Sequence, residues 1–351
     1  MKYLEQVRKI QIETSNFCNA SCIGCRRTDQ KSLTAKYEIK NMDIEFLPIS
    51  VFEKLFSDEL FKGVEVVEFC GTIDEPLAHP NILTIIKMLA EIKTDIFLSI
   101  HTNGAIKNED FYAELALIMS LFKKHELRFS IDGNKEQHFL YRGPIDYDKI
   151  FDNARIFISY GGYATWQMLT FPWNESNINE CERQAYELGF RKFVVRRDRT
   201  DSSNFEVKKI KMLRSLNLQS DEKAESNKDF IYPEESKIDC SYRKDFMIFI
   251  DFKGNVLPCC FMANSDITRK NDLSRQLDKE VFNVYDKNFN NLNFHSLTNI
   301  LDHIWYSQQL VKSWSNKFES ENPKLLVCNQ SCGSKSPLLG QHKKVSNFYN
   351  E

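Results

Sequence analysis

Six short apolar runs, separated by longer stretches of helical periodicity, constrain this chain more than any other feature. The runs are 7–13 (VRKIQIE), 64–69 (VEVVEF), 95–100 (DIFLSI), 126–131 (ELRFSI), 163–171 (YATWQMLTF) and 190–196 (FRKFVVR). Each has strand length and is rich in β-branched or aromatic residues. Helical patterns near 50–62, 80–93, 108–123, 147–159, 175–188 and 206–217 fall between or after them. Strict alternation predicts a parallel sheet with right-handed crossovers. Six units are too few for a closed eight-stranded barrel, which leaves an open partial barrel or a doubly wound sheet.

In such folds ligands bind where the loops leave the carboxyl ends of the strands. Run one leads to Cys18, Cys22 and Cys25, and run two to Cys70-Gly71-Thr72-Ile73-Asp74-Glu75-Pro76. Run three leads to His101-Thr102-Asn103-Gly104, and run four to Asp132-Gly133 with Tyr141-Arg142-Gly143 beyond. Run five leads to Pro172-Trp173-Asn174-Glu175 and run six to Arg196-Arg197-Asp198-Arg199. Turn chemistry explains any one of these glycines or aspartates. Six such loops on one edge point to a site.

The loop Cys18-Asn-Ala-Ser-Cys22-Ile-Gly-Cys25 is the sharpest signal. Three thiolates this close can wrap one side of a cubane iron–sulfur cluster, and a cluster of four irons then keeps one iron open. Zinc completed by a distant fourth ligand is the competing chemistry. Zinc ribbons favour paired C-x2-C knuckles, and this run has a C-x3-C step instead.

Cysteines at this spacing after a first strand resemble the signature of the radical S-adenosylmethionine (SAM) superfamily. The order and spacing of motifs over 1–200 is similar to that family's partial (β/α)6 barrel. The resemblance implies a 4Fe–4S cluster at Cys18, Cys22 and Cys25, with SAM chelated to the open iron. It implies reductive cleavage to a 5′-deoxyadenosyl radical that abstracts hydrogen from a substrate. It places the methionine ammonium near Gly71, Asp74 and Glu75, a degenerate form of the family's Gly-Gly-Glu-like segment. Ser99, Asn103, Ser130 and Asp132 are expected near the ribose hydroxyls and methionine carboxylate, with Arg142 pairing that carboxylate. Arg196 or Asp198 is expected to face substrate. One departure is Gly24, where the family carries an aromatic residue; Phe17 is expected to shield the cluster instead.

Five of the ten cysteines lie far downstream, at 240, 259, 260, 328 and 332. The C-x13-G-x4-C arrangement ending at Cys259, with Cys328 and Cys332, resembles the family's SPASM or twitch extension. Seven cysteines serve the full SPASM form, so five imply the shorter version with one auxiliary 4Fe–4S cluster. Its ligands are expected to be Cys240, Cys259, Cys328 and Cys332, with Cys260 spare or facing substrate. A structural zinc on the same four thiols is the other reading. Cys70 is expected to be a small buried hydrophobe and Cys181 to pack in the core.

These readings divide the chain into a core at 1–205, a helix and polar linker at 206–239, an auxiliary-cluster domain at 240–335 and a polar tail at 336–351. Within the third, 246–257 reads as a hairpin and 296–314 as a helix. A net charge of −2 gives no pull toward nucleic acid or anionic membrane. No apolar signal segment opens the chain and no run of 18 apolar residues occurs, so a cytoplasmic location is expected. The expected substrate is a small polar metabolite, or else a ribosomally made peptide, with flavodoxin or ferredoxin as electron donor. A non-catalytic electron carrier fits less well, since it needs no open iron.

Overall fold

The computed structural model describes residues 6–25, 27–28, 43–171, 173–197, 236–263, 281, 284–286, 288–334 and 342–348. Six parallel strands form its centre: β1 (Lys9–Ile12), β2 (Val66–Phe69), β3 (Phe97–Thr102), β4 (Lys124–Ser130), β5 (Ala164–Thr170) and β6 (Lys192–Arg197). Each lies beside its predecessor in sequence, and all pair parallel. Every predicted run is a strand, and the sheet is an unclosed partial barrel.

Between the strands run α1 (Ile49–Phe56), α2 (Ile82–Ile92), α3 (Glu109–Met119), α4 (Lys135–Arg142), α5 (Tyr147–Ser159) and α6 (Ile178–Glu187). On α2 the buried residues are Ile82, Ile85, Ile86 and Leu89, an i, i+3, i+4, i+7 stripe against the sheet. Burying each such side chain contributes roughly 1.5–3 kcal/mol. The strands alternate accordingly. Phe69, Leu98, Ile100, Phe129, Trp166 and Phe193 are fully buried on the helix-covered face. Gln11, Glu68, Ser99, Arg128, Gln167 and Arg196 occupy the opposite, inner face.

The segment 132–143 read as loop, yet it contains α4. Asn134 and Gln137 form a reciprocal capping box there, and Gly143 closes the helix at φ 77°. This local chemistry places Arg142 in the last helical turn.

The hairpin at 246–257 is present as β7 (Met247–Ile250) and β8 (Val256–Leu257). It does not stand apart. β7 pairs parallel with β1, so the central sheet continues across the expected domain boundary. The polar tail also joins the sheet, because β9 (His342–Asn347) pairs antiparallel with β6. The expected helix at 296–314 is interrupted: Leu297–Asp302 is α-helical, and after His303 a π-helical turn, Trp305–Gln309, precedes Leu310–Ser313. The helix expected at 206–217, the linker around it as far as residue 235, and Asp198 and Arg199 lie outside the described residues.

Candidate cofactor site at the carboxyl edge of the sheet

The loop after β1 carries Cys18, Cys22 and Cys25, all half-buried and free of disulfides. Short turns shape it. The Cys25 amide donates to Cys22 O at 3.1 Å and the Thr28 amide to Cys25 O at 3.1 Å. The Ser21 and Ile23 amides donate to the carbonyls of Arg142 and Tyr141, at 3.1 and 2.9 Å, which moors the loop to the end of α4. Desolvation, then Glu75 and the neighbouring thiols, pushes the Cys18 thiol well up; desolvation and Cys22 push Cys25 up to about 11. Backbone amides of Ala20 and Arg27 point at the Cys18 and Cys25 sulfurs, at 3.5 and 3.4 Å. Crowded thiols, two of which, Cys18 and Cys25, resist ionisation alone yet face N–H donors, suit metal, which deprotonates a coordinating thiol.

Neighbouring loops converge on these sulfurs. Asn103 Nδ2 donates to Asn19 Oδ1 at 2.7 Å and lies 3.7 Å from Cys18 Sγ. An Arg142 guanidinium nitrogen lies 3.9 Å from Cys22 Sγ, while its Nε donates to Asp132 Oδ2 at 2.7 Å. Asp132 is fully buried and its other oxygen accepts from the Leu169 amide at 2.8 Å. Asp132 therefore fixes Arg142 beside the thiol loop. Glu75 is likewise held by its neighbours. Its oxygens accept from Thr102 Oγ1 and the Asn103 amide, both at 2.7 Å, tying loop two to loop three. Burial raises its carboxyl to about 7 against these hydrogen bonds.

Gly71 and Asp74 form a tight cradle. A Cβ on Gly71 would stand 1.8 Å from Asp74 Oδ1 and 2.7 Å from Glu13 Cγ. Asp74 Oδ2 accepts from the Thr14 amide and hydroxyl at 2.7 and 2.9 Å, whereas the buried Oδ1 has no hydrogen-bond partner among the described residues. An orphaned carboxylate oxygen beside a mandatory glycine fits an ammonium group. Ser99 and Ser130 stand on β3 and β4, and the Ser99 hydroxyl is buried without a partner among the described residues. The Phe17 ring lies under the Arg27 guanidinium, 5.9 Å away.

Sequence reasoning missed Glu13, whose carboxylate accepts from the Thr72 amide and hydroxyl and the Ile73 amide at 2.7–3.1 Å. It also missed His138, whose Nδ1 accepts from the Asp132 amide at 3.1 Å. Alternation of polar with apolar residues in KIQIE was the available signal for Glu13. Cys70 is not a core hydrophobe as expected. It is half-buried at the end of β2, and desolvation, Glu68, Asp74 and Cys260 push its thiol well up. Cys181 does pack in the core.

A second cysteine group assembles from distant segments. Cys240 caps Ser241–Lys244, Cys259 follows β8, and Cys328 and Cys332 stand one turn apart on Leu326–Cys332. All four line one apolar cavity with Met262, Val327 and Trp314; Cys260 does not. The Cys332 thiol hydrogen-bonds Cys240, which draws Cys240 down to about 7 against its burial. The Asp239 amide donates to Cys332 O at 2.7 Å, so backbone holds the two together. Cys260 instead hydrogen-bonds Tyr242 and opposes ionisation of the Cys70 thiol.

The sequence profile of the radical SAM superfamily matches residues 12–184, and that of an iron–sulfur cluster-binding domain, SPASM, matches 240–333. This chain belongs to the radical SAM superfamily. The two domain types imply 4Fe–4S clusters and SAM as its cofactors. Among curated relatives, GTP 3′,8-cyclase of Campylobacter jejuni (strain RM1221) is 29% identical over 110 residues. The Campylobacter curvus protein of that name is 32% identical over 103. These matches span 31% and 29% of this chain and the same shares of those relatives, so under a third of their length is compared. The SAM-bound crystal structure of Streptococcus suis SuiB shares the fold at TM-score 0.56 and 15% identity, over 92% of this chain and 70% of SuiB. The structure of anSMEcpe with bound AdoMet does so at 0.53 and 15%, over 85% and 81%. No helix among the described residues is long and apolar enough to cross a membrane.

Proposed function

We propose that this radical SAM enzyme oxidises or rearranges a small polar metabolite held against the inner face of the sheet. The carrying observation is the convergence of Asn103 and Arg142 on the three-cysteine loop at the carboxyl edge of parallel strands. Cys18, Cys22 and Cys25 hold the first 4Fe–4S cluster; Cys240, Cys259, Cys328 and Cys332 hold the auxiliary one. When bound, these cofactors supply a 5′-deoxyadenosyl radical for hydrogen abstraction and an acceptor for the electron left behind.

The chain's own residues bind and orient. Asp74 Oδ1, reached because position 71 lacks a side chain, accepts from the methionine ammonium. Arg142, fixed by Asp132, pairs the methionine carboxylate. Asn103, Ser99 and Ser130 offer hydrogen bonds to the nucleoside. Glu75 and Asp132 position, and Glu13 braces the loop that carries Gly71. An inner wall bearing Gln11, Glu68, His101, Arg128 and Gln167 supports a polar substrate, and the nucleotide named for the GTP 3′,8-cyclases is of that class. The reaction draws electrons from a flavodoxin or ferredoxin.

A peptide substrate is the second reading. It is supported by the peptide-bound states of fold neighbours, SuiB with precursor peptide SuiA and anSMEcpe with the Cp18Cys peptide.

The test is anaerobic. Reconstituted, reduced protein given SAM is expected to release 5′-deoxyadenosine, faster with the right substrate class; release of none would leave an electron carrier. Stimulation by short peptides but not by nucleotides or sugars would favour the second reading.

A further inference from the structure

We propose that Glu68, Cys70 and His101 form a binding site for a zinc-class divalent transition metal on the inner face of the sheet. None of its three residues belongs to either cysteine group. Glu68 and Cys70 are two residues apart on and just beyond β2, so they share a face, and His101 stands on the adjacent strand β3. A carboxylate oxygen, the thiol sulfur and a ring nitrogen of the three all lie within 4.8 Å of one another. Zinc takes such mixed O, S and N donors. Its bond lengths set tetrahedral donors about 3.3–3.8 Å apart, within reach of ordinary side-chain rotations.

Two further observations favour a ligand there. His101 Nε2 is buried and faces Glu68 Oε1 at 2.8 Å, so imidazole and carboxylate already turn toward one another on the inner face. The other Glu68 oxygen is already oriented from outside: Gln11 Nε2 donates to Oε2 at 2.9 Å, and Tyr242 OH donates to Gln11 Oε1 at 2.5 Å. Outer hydrogen bonds of this kind aim a ligating carboxylate.

Three protein donors leave a coordination position open, as in catalytic rather than structural zinc sites. The Glu68 and His101 side chains are 22% and 14% exposed, so that position faces the inner space and not packed core. It would take a hydroxyl, carboxylate or phosphate oxygen of a polar ligand. A plain histidine–carboxylate ion pair with a bystander thiol is the alternative.

The experiment uses holoenzyme with both clusters in place. One equivalent of Zn2+ is added, the protein is exchanged into metal-free buffer, and zinc and iron are measured by mass spectrometry. Anomalous scattering at the zinc edge then locates the metal. About one zinc per chain is expected, between Glu68, Cys70 and His101. Cys70→Ser/His101→Gln should lower retained zinc at least tenfold with iron unchanged, and Glu68→Gln should do so to a lesser degree. No retained zinc in the wild type, or an anomalous peak elsewhere, overturns the proposal. So does undiminished zinc in the double variant. Should that variant lose iron as well, the wild-type anomalous peak decides.

Discussion

Arg142 Nε donates to Asp132 Oδ2 at 2.7 Å while another guanidinium nitrogen lies 3.9 Å from Cys22 Sγ, so one buried carboxylate fixes the cation beside the thiol loop. The Asp132 side chain is fully buried and that of Arg142 is 12% exposed. Removing one partner of such a pair leaves an uncompensated charge and costs about 3–5 kcal/mol. Asp132→Ala is therefore expected to destabilise the apo-protein by that amount in urea titration and to weaken SAM binding. Arg142→Lys should unfold less readily than Asp132→Ala but lose SAM affinity, because an ammonium cannot form the two-pronged pair.

Gly71→Ala tests the cradle. Its new Cβ would meet Asp74 Oδ1 at 1.8 Å and Glu13 Cγ at 2.7 Å, so the loop must move. Overpacking of this kind costs about 1–3 kcal/mol. Iron at the three-cysteine site should stay at wild-type level while SAM binding, followed by equilibrium dialysis, falls at least tenfold. Unchanged affinity would remove Gly71 and Asp74 from the site.

Glu75 gives a pH signature. Burial raises its carboxyl from 4.5 to about 7 in the folded protein, so the folded state holds this proton more tightly than the unfolded chain. Its contribution is complete below pH 4.5 and is lost as pH rises through 7. That window is worth on the order of 3 kcal/mol. Burial raises the Asp251 carboxyl to about 7 as well, so it adds to the same slope. Glu75→Gln apo-protein should be less stable at pH 5, having lost one acceptor, and its stability should fall less between pH 5 and 8. Parallel profiles for the two proteins would contradict the assignment.

Cys259 and Cys260 are adjacent, yet only Cys259 lines the cavity of the second cysteine group. Cys259→Ala should lower iron by about half and leave the first cluster in place. Cys260→Ala should keep full iron. The reverse result would exchange their roles.

Much of this was legible in the chain itself. The six strands were readable because each carries its apolar side chains at a period of two, as in Phe97-Leu98-Ser99-Ile100, or as a buried run. The helix α4 was not, because it is only eight residues long and largely polar, and its clearest signal is the capping pair Asn134 and Gln137. Residues 342–347, too polar to read as a strand, join the sheet as an antiparallel edge beside β6. Within the site, spacing exposed the cysteine loop. It could not tell contact from support, since Glu75 and Asp132 differ from open acceptors only through partners 27 to 37 residues away: Thr102, Asn103 and Leu169. The choice between Cys259 and Cys260 likewise depends on which face the backbone after β8 turns outward.

The most direct measurement is electron paramagnetic resonance of the reduced protein carrying Cys240→Ala and Cys328→Ala, so that the first cluster alone contributes. Addition of SAM is expected to shift the g values of the reduced cluster, because three thiolates leave one iron to receive it. A signal untouched by saturating SAM would mean that every iron is already ligated, and the account would fail.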